Sequence, residues 1–263
     1  MPTSLEFDPG FNIDIAPTAL AFEYGPGVFG PPPELRGLDA IRQSLRDPNC
    51  NGPDPVYGIA MDVGRTTEQT LLKERMLLFG AVVYASGSLG EEPVRSQGHI
   101  HAIAPHSGWS PPELYEIWSG TAVIYAQQRA EDDPGRCVAI LAKAGEQVVV
   151  PPSWAHCVIN ANLHERMAFG AWCDRQYGFD YTGVRAHHGL AWFPMLTHSG
   201  DLQWESNPSY KPSKLEQRSP RSYPELGLDP KRSLYRQFIA DPDSVMFVAE
   251  PQRAAQLWPD FMP

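Results

Sequence analysis

Two histidines that lie one residue apart, His99 and His101 in the segment GHIH, could bind one metal ion. On a β-strand, side chains at positions i and i+2 point to the same face, so the two imidazoles share a face. Glu113 and Tyr115 repeat this spacing in ELYEIW, and His156 follows the segment AGEQVVVPPSWA. Three neutral imidazoles and a carboxylate suit a divalent transition metal such as iron, manganese, nickel or zinc. In six-coordinate geometry, two positions would remain for a chelating hydroxy-carbonyl compound.

The histidine pair alone is also typical of histidines that face solvent or make ordinary hydrogen bonds. The metal site is favoured by the ordered set of GHxH, ExY and a histidine after a double proline, each on a strand or at a strand end. The other histidines lie in loop segments, and we predict that they are surface residues: His106, His164 and His198.

The elements that must position these residues are short apolar runs between about residues 76 and 172. These runs are LLFGAVVYAS, GHIHAI, ELYEIWSG, TAVIYAQQ, RCVAILAKAG, QVVVPPS, HCVIN and RMAFGAW. Short strands at this regular spacing are typical of an antiparallel sandwich or barrel. We find no internal repeat of solenoid length.

We predict one barrel with an extension at each end. Residues 1–50 are rich in proline and glycine and should form an arm with a short helix, packed on the barrel or on a dimer partner. Residues 51–199 should form the barrel and carry the metal site. Residues 200–263 should form a C-terminal extension, as a covering layer, a dimer contact or a substrate lid.

Three local elements are predicted in the two extensions. Apolar residues at helical spacing, followed by a proline, predict a helix over about 37–46. The pair Asp229-Pro230 is typical of a helix N-terminus. The apolar run VMFV at 245–248 could form a strand.

Composition excludes several classes of partner. The formal net charge of −10 opposes binding to nucleic acid or to an anionic membrane, because both require a basic surface. An anionic substrate would therefore need a local basic pocket. The longest apolar stretch, at 76–85, is shorter than the ~20 residues of a membrane span. The N-terminus does not resemble a secretory signal, and four cysteines without a CxxC pair indicate reduced thiols, so we expect a cytoplasmic protein.

Four segments carry a resemblance to a known family. They are GHIH (98–101), ELY (113–115), AGEQVVVPPSWAH (144–156) and FDYTGV (179–184). Together they resemble the cupin-type glucose-6-phosphate isomerases first associated with archaea, with a likeness that spans roughly residues 50–195. The resemblance implies an all-β fold, the cupin double-stranded β-helix or jelly-roll barrel, with the site inside the barrel and a homodimer outside. The N- and C-terminal extensions with short helices lie outside the likeness.

The resemblance also implies a ligand set and a reaction. The implied metal ligands are His99, His101, Glu113 and His156. The implied reaction is aldose–ketose isomerisation between glucose 6-phosphate and fructose 6-phosphate, through an enediol. Glu113 is the candidate base, or it only holds the metal while a hydride moves directly between carbons. Tyr115 and Tyr181 would hydrogen-bond substrate hydroxyls, although tyrosines on barrel strands also serve in packing.

Recognition of the phosphate group departs from the family pattern. Ser96 stands where the family tends to carry a threonine before GHxH, and an apolar residue near Val82 replaces a second threonine on the preceding strand. Arg95 or Arg185 could supply positive charge, and His188 lies near enough to line the pocket. The predicted substrate-binding residues are Arg95, Ser96, Gly98, Tyr115, Tyr181 and His187.

Three functions from different classes are therefore open. A metal-dependent sugar-phosphate isomerase needs a phosphate-binding group near the metal and no oxygen. An iron-dependent cupin dioxygenase or related oxidoreductase would consume oxygen with an oxidisable substrate. A non-catalytic sugar-binding cupin would keep the fold but has no need for a complete ligand set.

Overall fold

The computed structural model describes residues 4–263, which form two facing β-sheets with short helices and turns packed around them. The strands are β1 (Ile13–Ile15), β2 (Phe22–Tyr24), β3 (Val28–Phe29), β4 (Glu34–Arg36), β5 (Tyr57–Met61), β6 (Gly64–Arg65), β7 (Leu77–Tyr84), β8 (Ser88–Leu89), β9 (Glu92–Pro93), β10 (Ile100–His101), β11 (Glu113–Ser119), β12 (Thr121–Gln127), β13 (Cys137–Lys143), β14 (Gln147–Val150), β15 (Ala155–Asn160), β16 (Met167–Asp174), β17 (Phe179–Asp180), β18 (Trp192–Leu196), β19 (Leu202–Ser206) and β20 (Leu215–Arg218). The helices are α1 (Gln69–Glu74), α2 (Thr182–Ala186) and α3 (Leu234–Ala240). Within residues 4–263, no helix has the length and apolar character needed to cross a membrane.

The two main sheets form the barrel that the sequence predicted. One sheet has the order β14-β11-β16-β7-β5-β4 with antiparallel neighbours throughout. The other has the order β15-β12-β13-β20, in which only the β13–β20 pair is parallel. Apolar side chains from both sheets meet in one buried cluster between them, including Val82, Phe169, Ile124 and Val138. The prediction of an all-β cupin double-stranded β-helix is confirmed.

Alternation along β11 explains how the six-stranded sheet separates two cores. Tyr115 and Ile117 face the interior of the barrel, whereas Leu114 and Trp118 face the opposite side. Successive side chains on a strand point to opposite faces, so a strand buried on both faces reads as a continuous apolar run. The same reasoning accounts for the run LLFGAVVY of β7, which is buried along its whole length.

Both ends of the chain cover the outer face of the six-stranded sheet. Phe11 and Phe22 from the N-terminal segment contact Trp118, with ring centroids 6.1 and 6.2 Å apart. Tyr235 of α3 stacks on Trp172 at 5.6 Å. Strand β4 joins the sheet directly by pairing with β5, so the N-terminal segment also contributes to the barrel itself.

Three local predictions in the extensions are wrong. Residues 37–46 form two 3-10 turns, Leu38–Ala40 and Arg42–Ser44, instead of one helix. The helix predicted from Asp229 begins at Leu234, because the Asp229 side chain accepts from the Lys231 amide in a turn. The VMFV segment begins with the last residue of a 3-10 helix, Pro242–Val245, and continues as a turn whose side chains are buried against the outer face of the six-stranded sheet. A short apolar run does not distinguish a strand from a buried turn by periodicity alone.

Candidate metal centre

The four predicted ligands come together at one end of the barrel interior. His99 precedes β10 and pairs through its backbone with His156 of β15, with N···O distances of 3.1 and 2.9 Å. His101 lies on β10 and Glu113 begins β11. One donor atom from each of the four side chains lies within 4.8 Å of every other.

The histidine rings are oriented by backbone carbonyls. The Nδ1 of His101 lies 2.9 Å from the carbonyl oxygen of Pro111, and the Nδ1 of His156 lies 3.0 Å from that of Trp154. A carbonyl can only accept, so each Nδ1 carries a proton and each Nε2 is the nitrogen left for a metal. Such outer contacts fix the tautomer and ring orientation of metal-binding histidines. Both Nε2 atoms face Oε2 of Glu113, at 3.2 and 3.1 Å.

His99 supplies a direct test of whether this group fits a metal. Its Nε2 is buried and has no hydrogen-bond partner, although buried polar atoms are nearly always paired. A divalent cation between the four side chains would satisfy this atom. The donor set, three imidazoles and one carboxylate, therefore fits a transition metal in chemistry and in placement.

The electrostatics of His99 and Glu113 favour the protonation states that bind metal, whereas those of His101 favour its protonated form. Burial, helped by His156 and His101, holds the pKa of His99 well below its usual value, so this imidazole is neutral. Burial would raise the pKa of Glu113, but its contacts with His101 and His156 outweigh burial and hold the pKa well below the usual range. Burial would lower the pKa of His101, but Glu113 reverses the effect and raises it. Because the pKa of Glu113 is lowered, its carboxyl group is ionised.

Two further groups contact the Glu113 carboxylate. The Tyr115 hydroxyl donates to Oε2 at 2.6 Å, and the Cys173 thiol lies 3.4 Å from Oε1. Burial and then the charge of Glu113 raise the pKa of Tyr115 well above its usual value, so the hydroxyl keeps its proton and acts as a donor. Oε2 therefore has three close polar contacts, whereas Oε1 has a single weak contact.

A cavity of about 660 Å³, including its open mouth, extends from the four ligands. Tyr115, Tyr181, Ser96 and Gly98 line it, so the structure brings these predicted site residues together with the ligands. Gly98 has φ +90, and a Cβ there would approach the side chain of Leu190 to 2.8 Å, which explains the glycine. Apolar walls are contributed by Ile59, Met61, Val82 and Phe169.

Two predicted substrate-binding residues lie outside the cavity, contrary to the expectation from sequence. Arg95 is 2% exposed and is turned away, with Nε 2.6 Å from Oε2 of Glu92 and an Nη2–O distance of 2.6 Å to Ser44. His187 is held by the carbonyl of Gly183 at 2.8 Å and stacks on Tyr210 at 4.2 Å. Both side chains therefore hydrogen-bond to residues that do not line the cavity.

Arg185 and His188 also lie outside the cavity lining. The guanidinium of Arg185 lies 4.8 Å from the ring centroid of Tyr181, and its Nε donates to Gln97 at 3.1 Å. The Arg185 side chain therefore contacts two residues that line the cavity, Tyr181 and Gln97.

Sequence reasoning missed Arg36, Tyr57, Tyr84 and Cys173, all of which line the cavity. Cys173 could have been found, because it lies on the same strand face as Ala171 and Phe169 at period-two spacing. Arg36 has no motif around it, and its position depends on the pairing of β4 with β5, which no local pattern indicates.

Comparison with known proteins gives one family and several relatives. The family model described as glucose-6-phosphate isomerase (GPI) matches residues 34–213. Glucose-6-phosphate isomerases of Pyrococcus horikoshii and Pyrococcus furiosus are each 29% identical over 139 residues, which cover 53% of this chain and 67% of each relative. Oxalate decarboxylase of Bacillus subtilis aligns with 16% identity and a TM-score of 0.34, over 48% of this chain and 27% of that chain. Vicilin of hazelnut, Corylus avellana, aligns with 9% identity and a TM-score of 0.34, over 47% of this chain and 31% of that chain.

Proposed function

The chain belongs to the glucose-6-phosphate isomerase family, and we propose that it is a metal-dependent isomerase that interconverts glucose 6-phosphate and fructose 6-phosphate or a closely related sugar phosphate. The observation that carries the proposal is the four-residue donor group with the unpartnered Nε2 of His99, in the wall of a cavity that Tyr115 and Tyr181 also line. Family membership supports the isomerase activity, and the donor group supports its dependence on a metal.

We assign the four side chains of the group as ligands: His99, His101, Glu113 and His156. The donor set accepts iron, manganese, nickel or zinc, and availability decides among them. Bound there, the metal would supply Lewis-acid stabilisation of negative charge on the sugar oxygens.

Isomerisation of the aldose moves one hydrogen from C2 to C1 and one proton from the C2 oxygen to the C1 oxygen, so a base that takes the C2 proton must return it to C1. Glu113 is the only carboxylate that lines the cavity within residues 4–263. A carboxylate with a lowered pKa is a weak base, so proton transfer requires that its contacts loosen when sugar binds. Oε1 is the atom assigned to accept the proton, because His101, His156 and Tyr115 all contact Oε2. In the alternative route, a hydride moves directly between the carbons and Glu113 receives no proton.

Tyr115 and Tyr181 are assigned to hydroxyl groups of the substrate, and Ser96 and Gly98 to its phosphate end. The Tyr115 hydroxyl also keeps the Glu113 carboxylate in position through its 2.6 Å hydrogen bond. Rigid placement of the reacting group contributes to catalysis because it removes the entropy cost of orientation.

The first experiment combines elemental analysis of the purified protein with an assay of glucose 6-phosphate and fructose 6-phosphate interconversion, before and after chelation. The variants are Glu113→Ala and, as a matched control outside the cavity, His164→Ala in an exposed turn. Near-stoichiometric metal with chelator-sensitive turnover, lost only in Glu113→Ala, supports the proposal. Turnover in deuterium oxide then separates the two routes. Only the proton route lets the transferred hydrogen exchange with solvent, so only that route puts deuterium on carbon in the product.

Two other outcomes would redirect the assignment. Bound metal without turnover would retain the metal centre and reject the sugar-phosphate reaction, and oxygen consumption would then be measured with iron. A protein without metal would reject the site itself.

A further inference from the structure

The cavity needs a positive charge if it accepts an anionic substrate, because the chain carries a net charge of −10. Among the residues that line it in the described part of the chain, Arg36 is the only lysine or arginine. Val82, which lies on the strand where the family pattern has a threonine, is apolar and buried and cannot hydrogen-bond an anion. The arginines that sequence suggested do not line the cavity: Arg95 pairs with Glu92, and Arg185 donates to Gln97.

Sheet register places Arg36 on the cavity side. Arg36 lies opposite Tyr57, and Tyr57 lies opposite Tyr84, so the three residues form one row across β4, β5 and β7. The neighbouring row on the same face contains Ile59 and Val82. Arg36 is therefore one row away from Val82.

The Arg36 guanidinium is only partly satisfied by the protein. Its Nη2 pairs with Oε1 of Glu34 at 2.8 Å, but the Glu34 side chain is 70% exposed, and such pairs are weak. Its Nε is buried and has no hydrogen-bond partner. The Arg36 side chain itself is 24% exposed, so the charge remains reachable from the cavity.

Two tyrosine hydroxyl groups lie near the Arg36 charge. Tyr57 and Tyr181 line the same cavity, and although burial raises the pKa of each, the positive charge of Arg36 acts against that rise. Both hydroxyls therefore stay protonated and can donate. A guanidinium offers a planar fork of N–H donors that matches the oxygens of a phosphate or a carboxylate.

We propose that Arg36 recognises the anionic group of the substrate, with its guanidinium donating to the phosphate oxygens at the β4–β5 side of the cavity. The inference rests on the proposed function, because the phosphate ester is the anion of the proposed substrate. The carboxylate of a sugar acid could accept the same hydrogen bonds, so the test includes both a phosphate and a carboxylate ligand.

The test replaces Arg36 by methionine, which keeps the length of the side chain, and by lysine, which keeps the charge without the planar fork. Charge-assisted hydrogen bonds of this kind predict that Arg36→Met raises KM for glucose 6-phosphate about 10- to 100-fold with a smaller change in kcat. Arg36→Lys should lie between Arg36→Met and wild type. Arg129→Met is the matched control, because Arg129 is exposed, pairs with Asp133 and lies outside the cavity.

A binding measurement separates this inference from the proposed function. Inorganic phosphate and gluconate are titrated by calorimetry into the metal-loaded proteins, and metal content and melting temperature are recorded for each variant. Loss of phosphate binding in Arg36→Met, with metal retained, supports the inference even if no isomerase activity is found. Binding of gluconate in preference to phosphate would assign Arg36 to a carboxylate.

Two results would overturn the inference. One is an unchanged KM and unchanged phosphate affinity in a folded, metal-loaded Arg36→Met protein. The other is an equal loss with unphosphorylated fructose, which lacks the anion and should not depend on Arg36. If Arg36→Met does not fold, the same comparisons are made with Arg36→Lys, which retains the ion pair with Glu34.

Discussion

The backbones of His99 and His156 pair with each other through two hydrogen bonds, 3.1 Å from His99 N to His156 O and 2.9 Å in the reverse direction. The pairing brings their rings to a centroid distance of 4.4 Å. Two ligands from distant parts of the sequence are thus fixed by main-chain geometry before any metal binds. A preformed site loses little conformational entropy on binding, which favours affinity.

Metal binding should stabilise the protein, and His99 should be required for it. A ligand that binds only the folded state adds about 3 kcal/mol when its free concentration is about 100 times Kd. We therefore expect chelation to lower the melting temperature of the wild type, and expect no such effect in His99→Ala. Differential scanning calorimetry of metal-loaded and chelated samples makes the measurement.

The control for this prediction is His106→Ala, since His106 lies outside the donor group. It should keep the metal content and the chelator response of the wild type. A chelator response that survives in His99→Ala would place the metal elsewhere.

Tyr115→Phe should reduce catalysis while leaving the fold and the metal in place. The change removes the 2.6 Å hydrogen bond to Glu113 but keeps the ring, which packs on Phe169 at 5.4 Å. Because the hydroxyl orients Glu113 and is assigned to a substrate hydroxyl, we expect kcat to fall about 10- to 100-fold. Steady-state kinetics with metal analysis test this, and an unchanged kcat would remove Tyr115 from the site.

The buried ion pair of Arg95 and Glu92 should matter for stability and not for substrate binding. Both side chains are almost fully buried, with Nε and Oε2 2.6 Å apart. Glu92→Gln leaves a buried charge without its partner, which typically costs about 3–5 kcal/mol. Glu205→Gln, which breaks the exposed pair with Arg46, should cost at most about 1 kcal/mol.

Urea unfolding of the two variants gives the comparison. The KM for glucose 6-phosphate should stay at the wild-type value in Glu92→Gln at temperatures where it is folded. A raised KM in Glu92→Gln would indicate that Arg95 takes part in substrate binding.

The candidate ligands could be picked out from the sequence because spacing and turn residues mark each of them locally. His99, His101 and Glu113 follow from period-two spacing on strands, and the double proline marks the turn before His156. Arg95 lies outside the cavity lining, whereas its neighbour Ser96 lines the cavity. Neighbouring residues on an extended chain face opposite sides, so the two could not both point into it. Arg36 depends on a pairing between two strands, which spacing within one segment does not encode.

The barrel strands were predictable because each is an apolar run bounded by turn residues. The extensions were not, since their apolar residues pack on the outer face of a sheet whose position the local sequence does not specify. The division at residues 50 and 199, the homodimer and the cytoplasmic location stay predictions. Light scattering would test the homodimer first.

Glu116 connects the barrel to the C-terminal segment and should make stability depend on pH. Its side chain is fully buried, accepts from the Leu234 amide at 2.7 Å at the start of α3, and accepts from the Trp118 indole at 3.1 Å. Burial raises the pKa of this carboxyl to about 8. The unfolded chain has the ordinary value of 4.5, so the folded state binds more protons between these two pH values.

The stabilisation linked to Glu116 is therefore fully present below pH 4.5 and is lost as pH rises through 8. Ionisation of this one group lowers the unfolding free energy by at most about 1.4 kcal/mol per pH unit. Glu116→Gln cannot ionise but keeps an oxygen that accepts from Leu234, so it should flatten the decline in unfolding free energy over this range and be more stable than the wild type near pH 8. Urea unfolding at several pH values tests this, with Glu216→Gln on the exposed strand β20 as the control that keeps the wild-type slope. A wild-type curve as flat as that of Glu116→Gln would mean that the carboxyl is ionised in the fold, held by its two N–H donors alone.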